Sequence, residues 1–435
     1  MDAVLLARIQ FAFTVGFHYI FPPITIGMAW LIFWFQTRYL QTGDELYKKI
    51  SDFWIRLFGI TFAVGVATGI TMEFQFGTNW AEYSRVVGDI FGAPLAAEGL
   101  TAFFLESTFL AVLIYGQHKV SKKFYWFSGL MVAVGSTLSA FWIIVANAWQ
   151  QAPAGFELVN GKAVLVNFWA AAFNSATIPT YLHTINGALV TGAFFVMGLS
   201  AWFILKGQHL EFAKKSLIHS MIYALISALL VLGTGDRQAM RVAKDQPAKL
   251  AAFEGLWETQ AQAPLLLFGL PCEEKEQTFY SISIPGALSL LVSGNSQTTV
   301  IGLKDIAKED RPPIFLTFAS FHNMVAMGFY LVFLPLWGVI LWRRKKIFES
   351  KCFLKLALYS IPIPIIANEL GWIAAEVGRQ PWVVYNVLRT KDAISMSVPA
   401  GQILLSLILF GLVYALLFVL WIYLLRAKLV KGPDA

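Results

Sequence analysis

Six side chains that can ligate a metal or carry a proton stand in stretches of the sequence that are otherwise apolar. They are His18, Glu98, Glu106, His183, Met324 and Glu376. Imidazole, thioether and carboxylate groups are common protein ligands of transition metals, and carboxylates also donate and accept protons. Such groups are costly in an apolar environment unless they are paired, ligated or hydrated. Each one is therefore a candidate for a functional site.

The spacing of these residues does not match the common metal motifs built from protein ligands alone. No HExxH sequence is present, and the two cysteines, Cys272 and Cys352, form no CxxC motif. Isolated His, Met and carboxylate residues on separate segments suit a macrocycle that already supplies four nitrogens to its metal. Haem is the simplest interpretation of this residue set.

Each residue also has an interpretation without a ligand. A single His near a helix end more often makes a hydrogen bond than binds a metal, and most Met residues fill gaps in packing. Glu98 and Glu106, about two helical turns or roughly 12 Å apart, could form a polar seam on nearly one face of a helix. Glu376 and Arg379 could form an ion pair at a helix end. The residues alone indicate a multi-haem or ion-coupled membrane protein.

The composition places these residues in a membrane. Of the 435 residues, 57% are hydrophobic and 14% are charged, which is more apolar than a soluble globular chain. Windows of about 20 apolar residues are long enough to cross a bilayer core about 30 Å thick. We predict an all-α fold, a polytopic transmembrane helix bundle of about nine spans. The predicted spans are 10–36, 54–76, 94–118, 124–148, 181–205, 216–234, 316–342, 354–377 and 402–425. We expect the first to be retained, because it lacks the charged region and cleavage site of a signal peptide.

Basic residues cluster in alternate short loops, after the first, third, fifth and seventh predicted spans. Because loops rich in Lys and Arg stay in the cytoplasm, we predict the N-terminus outside and the C-terminus in the cytoplasm. The net charge of +7 then reflects membrane topology, and no nucleic-acid partner is expected. Five candidate residues fall in the outer half of the bilayer under this topology: His18, Glu98, His183, Met324 and Glu376.

One polar stretch interrupts the series of apolar windows. It divides the chain into the first six spans at 1–234, an outer loop at 235–315, and the last three spans at 316–435. The loop contains several prolines and a piece with apolar residues at helical spacing, PAKLAAFEGLWETQ. Long connections of this kind are usually functional or disordered, and we expect this one to form a small structure on the outer surface.

Four local strings are far more specific than these spacings. They are GVATGITMEFQFGTNW at 65–80, EGLTAFFLEST at 98–108, KLAAFEGLWET at 249–259 and GWIAAEVGRQPW at 371–382. They resemble the large subunit of the cytochrome bd quinol oxidases, in the branch with a short outer loop, and the resemblance covers essentially the whole chain. It implies three haems near the outer face: a low-spin haem b, a high-spin haem b and haem d.

The resemblance assigns the haem ligands residue by residue. His183 and Met324 match the two axial ligands of the low-spin haem b, whose iron can then only pass electrons. His18 and Glu376 match the single protein ligands of the two high-spin haems, where an open iron face would bind dioxygen. Which of the two holds haem d is left open, because relatives differ.

Glu98 and Glu106 match two buried carboxylates of the family, which resemble proton carriers or haem-site acids. Burial favours their protonated forms, and Glu106, the deeper of the two, is the expected inner relay. Ser107, Ser139 and Asn147 are weaker candidates for the same path.

The remaining matches concern charge, packing and substrate. Arg379 would offset the negative charge of Glu376 and reach a haem propionate, while Trp372 would pack between the high-spin haems. Lys249 and Glu254 match the pair at the quinol site of the family. A carboxylate there can accept the hydroxyl proton of a quinol while a lysine polarises the ring oxygen; the alternative for this pair is a solvated loop helix.

The chain departs from the family pattern at three places. His322, two residues before Met324, stands where many relatives have an arginine. In the string WQQAPAG at 149–155, Gln150 and Ala154 replace residues that are usually Met and Val. The later half of the outer loop, from CEEKEQTFYSISIPG onwards, has no motif that we can assign.

The resemblance implies a quinol:dioxygen oxidoreductase, a terminal oxidase of the bacterial cytoplasmic (inner) membrane. It would reduce dioxygen to water with electrons from quinol, take protons from the cytoplasm and generate a proton motive force. Its expected partners are a second integral subunit (subunit II) and a small single-span accessory subunit. One alternative is a proton-coupled secondary transporter that uses the buried carboxylates, although no repeat is visible. Another is a b-type haem subunit without oxygen chemistry, which would need paired histidines from a chain with six.

Overall fold

In the computed structural model, which describes residues 2–433, nine helical units are long and apolar enough to cross a membrane. The predicted all-α bundle of about nine spans is therefore confirmed. The spans are Ala3–Thr42, Glu45–Thr78, Ala81–Tyr115, Lys122–Gln151, Thr177–Lys206, Leu210–Asp245, Ile314–Arg343, Lys351–Val377 and Ala400–Lys431. The chain is an integral membrane protein.

Some of these units consist of two helices, and short helices lie in the loops. The α-helices are α1 (Ala3–Tyr19), α2 (Phe21–Thr42), α3 (Glu45–Thr78), α4 (Ala81–Glu98), α5 (Phe104–Tyr115), α6 (Lys122–Gln151), α7 (Phe168–Ala172), α8 (Thr177–Lys206), α9 (Leu210–Asp245), α10 (Pro247–Phe253), α11 (Ala287–Ser293), α12 (Ile314–Arg343), α13 (Lys351–Tyr359), α14 (Pro362–Val377) and α15 (Ala400–Lys431). A π-helical segment, Gly99–Phe103, joins α4 to α5. Short 3₁₀ turns cover Leu303–Asp305, Lys308–Asp310 and Thr390–Asp392.

Prolines account for the break in the first span. Pro22 and Pro23 open α2 and lack backbone N–H groups, so the hydrogen-bond ladder of α1 cannot continue through them. As a result α1 ends at Tyr19, and His18 lies in its last turn. In the eighth span, Pro362 likewise opens α14 after α13.

Helix α8 is the centre of the bundle. Of its most apolar window, 78% of the residues are buried inside the protein, against 11% for α15. Where α2 crosses α8, an added Cβ on Gly27 would lie 2.5 Å from the carbonyl oxygen of Ala188 and 2.7 Å from Cα of Gly192. Only glycine allows two backbones to approach so closely. Helix α15 turns most of its surface outward, as a peripheral span does.

The strands form three antiparallel hairpins outside the spans. They are β1 (Phe156–Val159) with β2 (Lys162–Leu165), β3 (Leu265–Cys272) with β4 (Gln277–Ile284), and β5 (Trp382–Val384) with β6 (Leu388–Arg389). The β3–β4 hairpin occupies the part of the outer loop for which the sequence provided no motif. Just after β3, the carboxylate of Glu273 accepts a hydrogen bond from the backbone N–H of Ile314 (2.8 Å) and so caps α12.

Candidate functional site

The ring of His18 is held by a hydroxyl group on a neighbouring helix. Its Nδ1 lies 3.0 Å from Oγ1 of Thr68 on α3. The Thr68 hydroxyl itself donates to a backbone carbonyl, either of Val64 (3.0 Å) or of Gly65 (2.9 Å). With its one proton used, the hydroxyl oxygen accepts, and Nδ1 of His18 donates. The lone pair of the ring is therefore on Nε2.

His183 on α8 repeats this arrangement. Its Nδ1 lies 3.4 Å from Oγ1 of Thr234 on α9. The Thr234 hydroxyl donates to the carbonyl of Leu230 (2.8 Å) or Val231 (3.2 Å), so it too accepts from the imidazole. A ligating histidine commonly donates its other ring N–H to such a partner, which fixes the tautomer and the orientation of the ring.

Glycines give these side chains their space. Gly69 and Gly235 each follow one of the two threonines, and an added Cβ would lie 3.1 Å from Cε1 of His18 and 3.3 Å from Cε1 of His183. At Gly371 on α14 an added Cβ would lie 3.0 Å from Sδ of Met324. Three predicted ligands therefore each face a glycine on another helix.

His183 and Met324 lie on α8 and α12, and both of these helices pack against α9 and α14. Within residues 2–433, no three His, Cys, Asp or Glu side chains converge into a metal-binding group. Each of the four predicted haem ligands, His18, His183, Met324 and Glu376, lies on a different helix.

Glu376, near the end of α14, is at the centre of a hydrogen-bond network. Its Oε1 accepts from Nδ2 of Asn147 (2.9 Å) and Nε2 of Gln151 (3.0 Å), both on α6. Its Oε2 accepts from Nη2 of Arg379 at 2.5 Å, so the ion pair considered for these two residues is present. A carboxylate has about four acceptor positions, which leaves one for a further partner.

The same network reaches Lys249 in α10. The Nζ of Lys249 donates to Oε1 of Gln151 (2.6 Å), and Nε2 of Gln246 donates to the Gln151 carbonyl (2.7 Å). Lys249 is 2% exposed. Burial, together with the nearby charges of Arg241 and Arg379, holds the pKa of its ammonium well below the usual range. Gln151 thus joins a residue of the outer loop to the carboxylate of Glu376.

Glu254 is also buried in the outer segment, but it has a different partner. Its Oε2 accepts from the backbone N–H of Leu266 in β3 (3.4 Å). Burial raises the pKa of this carboxyl to about 8. Within the part of the chain that the structure describes, no ion pair joins Glu254 to Lys249.

His322 connects α12 to the same strand. Its two ring nitrogens lie 3.0 Å from the carbonyl oxygen of Leu266 and 3.1 Å from that of Phe318. Its ring also stacks on Phe318, with 3.9 Å between centroids. His322 is therefore fixed between α12 and β3.

The structure brings Glu98 and Glu106 within electrostatic range of each other. Ser139 on α6 donates to Oε1 of Glu98 (2.6 Å), and Cβ of Glu106 lies 3.0 Å from where Gly135 of α6 would carry a Cβ. The expectation of regular helical turns between the two carboxylates is wrong. The π-helical segment lies between them, with i→i+5 bonds that change the helical register.

The last two predicted residues lie on α14 and just after it. The ring of Trp372 packs edge-to-face against Tyr19, with centroids 5.4 Å apart, next to His18 in the chain. Arg379 is 4% exposed. Besides Glu376, it donates to Oε1 of Gln150 (3.2 Å) and to the carbonyl of Trp382 (3.3 Å). Gln150 thus supports Arg379.

Sequence reasoning missed the uncharged members of this site. Hydroxyl side chains in a helix often bond to a carbonyl of their own helix, and an amide such as Gln246 is ordinary outside a span, so nothing marked Thr68, Thr234 or Gln246. Gln151 lies in the string WQQAPAG, in which the sequence analysis noted only Gln150 and Ala154. Nothing in the string indicated that Gln151 contacts Lys249 and Glu376.

Comparisons with known proteins identify the family. A family model described as "Cytochrome bd terminal oxidase subunit I" matches residues 6–433. The chain belongs to this family. It is 41% identical over 444 residues to "Cytochrome bd ubiquinol oxidase subunit 1" of Bacillus subtilis (strain 168), covering 100% of this chain and 95% of the relative. It is 35% identical over 502 residues to "Cytochrome bd-II ubiquinol oxidase subunit 1" of Escherichia coli (strain K12), covering 100% and 98%.

Two further matches concern a second Bacillus protein and a solved structure. "Putative cytochrome bd menaquinol oxidase subunit I" of Bacillus subtilis (strain 168) is 32% identical over 439 residues, covering 100% of this chain and 98% of the relative. The structure of bd oxidase from Geobacillus thermodenitrificans superposes with a TM-score of 0.93 at 32% identity and covers 99% of both chains.

Membership of a cytochrome family implies haem, and the side chains described above fit this group. His18 and His183 each hold the Nδ1–H in a hydrogen bond and leave Nε2 for an iron. Glu376 keeps one acceptor position, and the glycine opposite each of His18, His183 and Met324 leaves room beside the ligand.

Proposed function

We propose that this cytochrome bd family member is the haem-bearing subunit of a quinol:dioxygen oxidoreductase, a terminal oxidase that reduces dioxygen to water. The names of the relatives support quinol as the electron donor and include both ubiquinol and menaquinol oxidases. These names also number the corresponding chain as the first subunit. We therefore propose a second integral subunit as partner, with a small single-span accessory subunit, in the bacterial cytoplasmic membrane.

Four side chains would hold the haems. His183 and Met324 would ligate a low-spin haem b, while His18 and Glu376 would each provide the one protein ligand of a high-spin haem, b or d. Bound haem supplies one-electron transfer and, at an open iron face, the place where dioxygen is reduced. Thr68 and Thr234 orient the two imidazoles, and Arg379 balances the charge of Glu376.

The contact chain Lys249–Gln151–Glu376 carries the proposal. Two hydrogen bonds, 2.6 Å and 3.0 Å long, join the residue matched to the quinol site with the residue matched to a high-spin haem. Substrate oxidation and a haem ligand would then share one polar network on α6. Such a connection is expected of an enzyme that takes electrons from quinol beside its haems.

At the quinol site, Glu254 would accept a hydroxyl proton while Lys249 polarises the ring oxygen. A carboxyl whose pKa is about 8 exchanges a proton near neutral pH. A buried lysine with a depressed pKa donates a hydrogen bond without being strongly hydrated. We propose that this segment, within 235–315, binds quinol on the outer side, between the spans at 1–234 and those at 316–435.

Protons for water formation would come from the cytoplasm. The basic loops support an outer N-terminus and a cytoplasmic C-terminus. Under that topology Glu106 would take protons from the inner side and pass them toward Glu98, whose carboxylate accepts from Ser139. Quinol protons released outside and oxygen protons taken from inside would together generate a proton motive force.

Kinetics with quinol test the substrate site. In the assembled oxidase, Lys249→Ala and Glu254→Gln should raise the KM for quinol or lower turnover by about tenfold or more, with haem content unchanged. The exposed residues Lys275 and Glu274 of the same loop provide matched controls, Lys275→Ala and Glu274→Gln. Normal quinol kinetics in both site variants would move the site elsewhere.

A further inference from the structure

Glu369 is a half-buried carboxylate of α14 for which neither the family strings nor the proposed mechanism provides a role. It precedes Trp372 by three residues and Glu376 by seven, so all three side chains share one face of the helix. Seven residues correspond to roughly 10 Å along the helix axis. Glu376 lies near the C-terminal end of α14, so Glu369 lies near the middle of this helix.

The carboxylate of Glu369 has no satisfying partner. Its Oε1 is enclosed by the protein and has no hydrogen-bond donor among residues 2–433. Its Oε2 faces α1, where it lies 3.2 Å from the position that a Cβ on Gly16 would take. The lack of a side chain at Gly16 leaves the space that the carboxylate uses.

The surroundings of Glu369 connect it to the predicted haem-binding face. It lies within electrostatic range of the phenol of Tyr19. Tyr19 in turn contacts Trp372 edge-to-face. The Glu369 carboxyl is thus placed between α1, which carries His18, and the face of α14 that carries Glu376.

A carboxylate with one oxygen enclosed and without a hydrogen-bond donor or cation is costly in its charged form, because a buried ionised oxygen needs a partner. A carboxylic acid is much less costly, and its O–H can donate to a transient water. Groups with this property in the interior of a membrane protein are suited to take up and release protons. Glu369 shares a face of α14 with the predicted haem ligand Glu376, so a proton that it releases could reach the predicted haem site.

We propose that Glu369 is a proton carrier of a second uptake path, which runs between α1 and α14 and is separate from Glu98 and Glu106. A proton delivered by water from the inner side binds Oε1, and the neutral acid then donates it to a water on the side of Trp372. The carboxylate is thereby restored, with no change in electron count. This inference rests on the proposed oxidase function.

The experiment uses the complete oxidase with Glu369→Gln, which removes the titratable proton and keeps the shape. Redox-induced infrared difference spectroscopy should show loss of one carboxyl C=O band, and proton uptake in a single turnover should slow by about tenfold or more. Haem content should not change. The exposed Glu211 at the start of α9 provides the matched control, Glu211→Gln, which should show neither effect.

If the oxidase does not assemble with Glu369→Gln, a second variant still tests the inference. Gly16→Ala places a methyl group 3.2 Å from the present position of Oε2. The carboxyl is retained, and its C=O band should shift because its surroundings change. An unchanged C=O band in both variants, or normal proton uptake in Glu369→Gln, overturns the inference alone. Absence of haem or quinol oxidation in the wild-type complex overturns the proposed function together with it.

Discussion

The two histidines proposed as haem ligands are oriented in the same way. Each donates its Nδ1–H to a threonine hydroxyl whose own proton is already bound to a helix carbonyl. The choice of tautomer is therefore made by the protein. The lone pair of Nε2 is presented before any metal is bound, which lowers the cost of ligation.

We expect removal of either hydroxyl to weaken the corresponding haem. Thr68→Val should affect the haem at His18, and Thr234→Val the haem at His183. Loss of such a supporting hydrogen bond typically costs about 10- to 100-fold in metal affinity. Haem occupancy and midpoint potential, followed in a spectroelectrochemical titration, report the change.

A nearby threonine provides the control for this experiment. The hydroxyl of Thr71 also donates to a helix carbonyl, that of Ala67 (3.1 Å), on the same helix as Thr68. Thr71→Val should leave the haem bands at their wild-type potentials. Equal spectra and potentials in Thr68→Val, Thr234→Val and wild type would mean that the threonines do not orient the ligands.

The state of Glu254 predicts how quinol oxidation depends on pH. Burial raises its pKa to about 8, and only the ionised form can accept a proton. The ionised fraction grows as the pH rises, so kcat/KM for quinol should increase up to about pH 8 and then level off. A pH profile in wild type, compared with Glu254→Gln, checks this. A profile that falls over the same range, or that is identical in the variant, would assign the ionisation to another group.

The chemistry of single residues was accessible from the sequence, but most of their contacts were not. Isolated His, Met and Glu residues in apolar stretches marked the site because ionisable groups are rare there. The hydrogen bond of Gln151 to Lys249 joins residues 98 positions apart. No local pattern encodes such a contact, since it depends on how α6 and α10 meet.

At the scale of elements, α6 organises the polar part of the bundle. One helix supplies Ser139 to Glu98, Asn147 and Gln151 to Glu376, and Gln150 to Arg379. Residues 139, 147 and 151 are separated by multiples of four and so follow one stripe. The stripe links Glu98 and Glu376 to Lys249 in α10.

Breaking the stripe at Gln151 should separate quinol oxidation from haem binding. Gln151→Leu removes the hydrogen bonds that Gln151 makes with Lys249 and Glu376, each worth about 0.5–1.5 kcal/mol, so quinol turnover should fall by about tenfold. Haem should be retained, because Glu376 keeps its bonds to Asn147 and Arg379. Steady-state quinol kinetics and an optical spectrum measure the two effects.

Gln150→Met provides a control that many relatives already contain. Gln150 bonds Arg379 rather than Lys249, so its replacement should affect quinol kinetics much less. If Gln151→Leu were as active as Gln150→Met, the Lys249–Gln151–Glu376 chain would have no functional role.

Hydropathy predicted the nine spans but not their interruptions or extensions. The sixth predicted window ends at residue 234, while α9 continues to Asp245 through polar residues that are compatible with a helix. An apolar window marks only the part of a helix that can lie in the hydrocarbon core, whereas the helix itself can continue beyond the core. The π-helical segment Gly99–Phe103 and the β3–β4 hairpin depend on tertiary packing, and no sequence signal that we used identified them.

For the whole molecule, the proposed direction of proton movement depends on the proposed topology. Protons would enter from the side of the basic loops, and the proposed quinol site would lie on the other side. Charge would then cross the membrane without a conformational pump, because the two half-reactions exchange protons with opposite sides.

We expect Glu106→Gln to slow proton uptake from the cytoplasmic side and oxygen turnover together. Glu106 is 5% exposed and is packed against α6, so replacing its carboxyl interrupts the proposed path through Glu98. Reduction of the low-spin haem by quinol should continue. Reconstituted vesicles with a pH-sensitive dye measure uptake; unimpaired turnover and a normal membrane potential would rule out Glu106 as an obligatory relay.

The most direct test of the central claim is an optical spectrum of the detergent-purified protein reduced with dithionite. The proposed function predicts haem b bands together with a chlorin band at long wavelength, and loss of the low-spin signal alone in His183→Ala and Met324→Leu. A spectrum without any haem absorbance, or an unchanged low-spin signal in both variants, would contradict it.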